Sequence, residues 1–233
     1  MTEISVSRAV ERRLKHRPGR LFTYRDFDDL PASAVASALS RLAARGVIKR
    51  ARKGVYYVPR RTALGEVPPD PVLLGETVSR GRSSLSGLSA ALALGLTTHV
   101  PAHVELAVDG MRPSPLRGVI FRPRTGTNRG GLHPDEAALL EVLRDITRLT
   151  DLPAAETADK LRLLLNGAAA RKRILRAAID EPPRVRAMVG ALAAVAGAPE
   201  PELRRLGKTL NPTTRFDFGP LSVLATAKSW RAR

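Results

Sequence analysis

Residues 33–58 carry small hydroxyls and cations at spacings that suit a polyanion. Ser33, Ser37 and Ser40 recur at intervals of four and three, and Arg41 follows the last of them. On a helix this spacing gathers them on one face. Val35, Ala38, Leu39 and Leu42 fall on the other face, so 33–45 reads as a helix with an apolar inner side and a small polar outer one. Such a face fits the major groove of a duplex. There a serine reaches bases or phosphates, and the planar guanidinium of Arg41 suits either a guanine edge or a backbone phosphate. Gly46 closes the helix, and the period then switches to two. Residues 47–50 and 55–58 form an expected hairpin whose tip, Arg52-Lys53-Gly54, is basic. Arg52 and Lys53 are expected on phosphates, giving affinity without sequence preference.

Other residues that could do chemistry lack partners at useful spacing. His99 and His103 lie four apart, but Pro101 forbids a regular helix between them and no third ligand follows, while His16 and His133 stand alone. The segment 125–131, TGTNRGG, is glycine-rich but has neither the lysine nor the helix of a phosphate-binding loop. Glu105 and Asp109 share a strand without the spaced lysine of a nuclease site. Patterns of serine hydrolases, zinc proteases and kinases are absent. The expectation is a binding protein with no catalytic residue, metal or cofactor.

The surrounding elements are those needed to hold the two polar surfaces. Ile4, Val6, Val10 and Leu14 give a first helix, ended by Pro18-Gly19. Leu21-Phe22 is a short extended piece. Thr23 and Asp26 form a capping box opening a short helix to Leu30, and Pro31 breaks it. Helix, strand, helix, turn, helix, hairpin is the order of a winged helix-turn-helix, assigned here to 1–61. A proline-rich linker covers 62–70, and Asp70 caps the next helix with Pro71 at its first position. In 71–233 a helix is expected over about 84–94, and an antiparallel hairpin from 103–109 and 119–122. Further helices are expected at about 134–149, 155–166, 168–180 and 183–196. The segment 210–219 is irregular, with Phe216 and Phe218 anchoring it, and a final element reaches Trp230. The fold class is α+β: an N-terminal winged helix-turn-helix, then a mostly helical C-terminal domain with a small antiparallel hairpin or sheet. Arg171-Lys172-Arg173 reads as a solvated face, a second phosphate patch or a surface for an acidic partner.

Charge supports the division. The 233 residues hold 39 Lys+Arg against 22 Asp+Glu, a net +17, of which +10 lies in residues 1–61. Only 7 of those cations are lysines, and Ala, Gly and Pro are abundant, a bias typical of GC-rich genomes; the placement of charge therefore says more than its total. Aromatics make up 4%, too few for the stacking platforms of single-strand binders. There is no cysteine, no apolar run of membrane-spanning length and no signal-peptide core. A cytoplasmic protein with no membrane partner is expected.

The runs GVYYVPRRTALGEVPPDP, SGLSAALALGLTTHVP and VELAVDG, with PPRVRAMVGAL and LNPTTRFDFG near the end, resemble the AbiEi-type antitoxins of abortive-infection toxin–antitoxin systems. The resemblance spans nearly the whole chain and carries no catalytic signature. It implies a winged helix that binds double-stranded operator DNA and represses its own operon. It also implies a C-terminal domain, 71–233, that neutralises a cognate nucleotidyltransferase toxin of the AbiEii type. Two other classes compete with this reading. One is a winged-helix regulator with a ligand-sensing or dimerising C-terminal domain and no toxin; the other is an enzyme with an atypical site.

Overall fold

The computed structural model describes residues 5–15, 17–124 and 129–233, an α+β chain that divides between Gly81 and Arg82 into two units.

In the first unit, α1 (Val6–Leu14) leads to β1 (Leu21–Phe22), a 3-10 turn (Tyr24–Phe27) and α2 (Ala32–Ala44). The strands β2 (Lys49–Arg52) and β3 (Val55–Tyr57) follow, and the three form an antiparallel sheet in the order β1-β3-β2. The Thr23–Asp26 capping box forms as expected. Thr23 N–H donates to Asp26 Oδ2 at 2.7 Å, and Arg25 N–H donates to Thr23 Oγ1 at 3.3 Å. Val10, Leu14, Phe22, Phe27, Val35, Leu39, Leu42 and Ile48 meet in one core. Each such side chain contributes roughly 1.5–3 kcal/mol on full burial.

Residues 62–67 of the expected linker 62–70 join Arg60 and Arg61 in regular structure. They form a hairpin of β4 (Arg60–Thr62) and β5 (Gly65–Val67). Its turn is local: Thr62 Oγ1 accepts from Leu64 N–H at 3.3 Å and donates to Gly65 O at 3.0 Å, and Gly65 takes φ 112°. Glu66 then pairs with Lys49 on β2. The helix α3 (Pro71–Ser79), capped by Asp70 as expected, packs near β1 and belongs to the first unit, so the division falls beyond the proline cluster.

The second unit opens with β6 (Ser83–Leu85) and α4 (Gly87–Ala93), where the sequence suggested one helix from 84. Serines leave that choice to tertiary pairing, and β6 is drawn into antiparallel register with β7 (Val104–Asp109). The strand β8 (Val119–Arg124) runs parallel to β7, correcting the expected antiparallel hairpin. Pro113 and Pro115 favour an extended return path, at roughly 3 Å per residue, so that Val119 starts beside Val104. A turn at Leu116–Val119, with Gly118 at φ 80°, sends the chain into β8.

Against this sheet lies a helical core. The expected helix 134–149 divides into α5 (Pro134–Leu143) and α6 (Ile146–Leu149). It is followed by α7 (Ala154–Leu163), α8 (Ala168–Ala178), α9 (Pro183–Val195) and α10 (Glu200–Gly207), the last not foreseen. Every residue of α5 from Glu136 to Leu143 is buried. The tail folds back as a 3-10 turn (Gly219–Val223) near α7, and Phe218 is fully buried. Trp230 lies over Gly190 of α9, where any Cβ would run into its ring.

Candidate nucleic-acid interface

The helix α2 starts after Pro31 and ends at Gly46, whose φ of 72° closes it: Gly46 N–H bonds Ala43 O and Val47 N–H bonds Leu42 O. Its inner stripe, Val35, Ala38, Leu39 and Leu42, is buried. The outer face leaves Ser33, Ser37, Ser40 and Arg41 exposed, as the spacing requires. The three serines make no hydrogen bond among the described residues. Arg41 is different: its Nη2 donates to Ser7 Oγ of α1 at 2.8 Å, which draws the guanidinium towards the first helix.

The second predicted element, the β2–β3 hairpin, turns at Lys53-Gly54, with Gly54 at φ 79°. Its register slips between Arg50 and Arg52, and such a bulge twists the strand. Arg52 is half-buried and Lys53 exposed. The structure thus brings the serines and Arg41 onto one helix and Arg52 with Lys53 onto the tip of one hairpin, in the same unit. A charge relation not read from the sequence lies on the other end of β2. Lys49 and Arg61 both reach Glu66; the hydrogen bond from Lys49 holds the Glu66 carboxyl below its usual value and raises Lys49. The lysine at the base of the hairpin is therefore neutralised and the tip is not.

In the second unit several of the residues considered for chemistry pair with a neighbour, and others are exposed. His99 Nε2 lies 4.0 Å from Asp151 Oδ2, and His103 is exposed. Glu105 accepts from Arg122 Nε at 2.5 Å. His16 and the start of the TGTNRGG segment, 125–128, lie outside the described residues. The run Arg171-Lys172-Arg173 splits three ways: Arg171 donates to the carbonyls of Leu165 and Ala196, Arg173 pairs with Glu136, and Lys172 is exposed.

The densest charge cluster was not visible in the sequence. Glu141 and Glu181 are fully buried and share Arg129, itself 5% exposed. Arg124 binds Glu141 through two nitrogens, at 2.9 and 2.6 Å, and Arg144 reaches Glu181 at 2.5 Å. Burial would push the Glu141 carboxyl up, but the hydrogen bond from Arg124 and the charge of Arg129 hold it below the usual range. Burial likewise opposes the charge on Arg129, and the two carboxylates overcome it. The arrangement joins β8, α5 and the α8–α9 corner.

The fold and these surfaces define an α+β protein of two units, with a polar helix face and a basic hairpin tip on the first. Residues 9–148 match the family of unknown function DUF6088, and the chain belongs to that family. Among solved structures it is similar to the RV2827C protein from Mycobacterium tuberculosis, at 18% identity and a TM-score of 0.49, over 92% of this chain and 84% of that one. No curated protein matches.

Proposed function

We propose that the first unit is a winged helix-turn-helix that binds double-stranded DNA, with α2 in the major groove and the β2–β3 tip on the backbone. The observation that carries this reading is the pairing of the two surfaces in one unit. A helix with an outer face of free serine hydroxyls shares its core with the strands of the β1-β3-β2 sheet, and the same unit carries a hairpin tip whose cations lack carboxylate partners among the described residues. Ser33, Ser37 and Ser40 read bases or phosphates, and Arg52 and Lys53 meet phosphates. The hydrogen bond of Arg41 to Ser7 favours a backbone role for that residue, since a base edge would have to displace it.

The wider role proposed is that of an antitoxin that represses its own operon and neutralises a nucleotidyltransferase toxin encoded beside it. The support for this part is the resemblance of the sequence runs quoted above to AbiEi-type antitoxins. The reading is of a cytoplasmic binding protein rather than an enzyme; among the described residues no helix is long and apolar enough to cross a membrane. The test is a footprint of the full chain on the DNA upstream of its own gene. A protected inverted repeat is the expected result, and no protection at low salt sinks the operator claim. Growth rescue on co-expression with a neighbouring nucleotidyltransferase tests the antitoxin role, and labelled-nucleotide transfer by the purified chain would contradict it.

A further inference from the structure

At the hairpin tip the first unit has an open hollow of about 530 Å³, walled by β1, the 3-10 turn, the tip and the end of α3. The 3-10 turn supplies Tyr24 and Arg25, the tip supplies Arg52 and Lys53, and the end of α3 supplies Glu76 and Arg80. We infer that this hollow is a phosphate site: it seats a backbone phosphate of duplex DNA just outside the groove that α2 enters, with Arg25 and Arg80 as ligands that no winged-helix pattern in the sequence announces.

Charge is the first ground. Among the described residues the Arg25 guanidinium hydrogen-bonds the Tyr24 hydroxyl, at 3.3 Å, and no carboxylate, and Arg52, Lys53 and Arg80 have no carboxylate partner. Asp26, also on the wall, is spent on the Thr23 backbone and on Arg20, 4.0 Å away. Four cations therefore face one uncommitted carboxylate, Glu76. Like charges gathered in a concavity repel one another and favour a bound anion. Backbone conformation is the second ground. Arg80 closes α3 at φ 59° and ψ 42°, the left-handed position that helices ordinarily give to glycine, although Gly81 stands next to it. An arginine kept where glycine is easier is a reason to look for what its side chain does. The lowered Tyr24 phenol agrees: the hydrogen bond and charge of Arg25 draw it down first, and the charge of Arg80 adds to them.

The site rests on the DNA-binding reading, and the experiment separates the two. The full chain is titrated onto a labelled 20-base-pair duplex of arbitrary sequence by fluorescence anisotropy, across a salt series. The variants are Arg80→Gly, Arg25→Ala and Glu76→Gln, each checked by thermal melting. Each phosphate left without its cation should reduce the log–log salt slope by about 0.9. Arg80→Gly relieves the backbone and should melt no earlier than the parent while binding with a shallower slope. A role in folding alone gives no such combination. Glu76→Gln should tighten binding, because it removes the carboxylate that faces the phosphate. Unchanged slopes and affinities in all three variants, with a parent that binds, overturn the site alone. A parent that binds no duplex at low salt overturns the DNA reading and the site together. Millimolar inorganic phosphate at constant ionic strength is the remaining arm: thermal stabilisation that Arg80→Gly abolishes, with the slope unchanged, assigns the hollow to a free phosphate and overturns the duplex form.

Discussion

Arg129 stands between two carboxylates that solvent does not reach, and its removal leaves both without their shared cation. Breaking a buried pair from one side is far costlier than never having built it. Arg129→Met should therefore destabilise the second unit by about 3–5 kcal/mol, read by chemical denaturation; a loss under about 1 kcal/mol would mean that Arg124 and Arg144 suffice. Gly87 is a second sensitive residue. It sits at φ 53°, and a Cβ there would collide with Glu105 Oε2, so Gly87→Ala is expected to cost about 1–3 kcal/mol and to disturb the Glu105–Arg122 pair. A melting temperature equal to the parent's would refute that. Neither residue was legible beforehand. Arg129 lies inside the 125–131 segment, read from sequence as a turn, and Glu181 is 52 residues away, so only the folded chain brings them together. Ser33, Ser37, Ser40 and Arg41 were legible because a helix converts spacing directly into a face; the bond to Ser7, 34 residues earlier, was not.

At the scale of elements, local signals were read well and directions poorly. Both ends of α2, the short β1, the Thr23–Asp26 cap and the Asp70 cap all follow from neighbouring residues. The parallel pairing of β8 with β7 depends on which end of β7 the returning chain reaches, and no residue within either strand encodes that. The same holds for β6, whose serines suit helix or strand until β7 offers its edge. The β2–β3 hairpin makes its own prediction. With Lys49 paired to Glu66, the positive charge left to the hairpin lies on Arg50, Arg52 and Lys53, the last two at its tip. Changing both to Ala should weaken operator and random duplexes alike, with a slope shallower by about 0.9 for each phosphate that the tip no longer neutralises. Glu66→Gln should act oppositely by freeing Lys49, raising non-specific affinity. A salt slope indifferent to the tip substitutions would take the hairpin off the DNA.

For the whole molecule, each unit holds its own core, and the boundary at Gly81 changes which fragments should be tested. In the second unit, Glu136 and Glu141 are held below the ordinary carboxyl value of about 4.5 despite the burial that opposes it, by Arg173 and by Arg124 with Arg129. A depressed carboxyl stabilises the fold above the unfolded value and loses that contribution as pH falls through the folded one. Residues 82–233 should thus be most stable above about pH 5 and weaken progressively below about 4.5, as thermal melts along a pH series will read; a flat profile to about pH 3 would contradict the pairing. The first unit gives the more decisive experiment. A fragment ending at residue 61 removes Glu66, the partner of Lys49, and α3 with its buried Leu74, although it keeps α2 and the hairpin. Extending it to residue 81 restores both, along with Arg80. Fragment 1–81 should therefore unfold at a higher temperature than 1–61 and bind duplex DNA with a salt slope that depends on Arg80, although its Lys49 is again paired with Glu66, whereas 82–233 should fold and leave the operator unbound. Co-expression with the neighbouring nucleotidyltransferase then assigns the other half of the proposal, with rescue expected from 82–233 and none from 1–81. Rescue by 1–81 with none from a soluble 82–233 would reverse the division of labour. Equal stability of 1–61 and 1–81, with a slope for 1–81 that Arg80→Gly leaves unchanged, would show that α3 lies in the first unit without serving its binding surface.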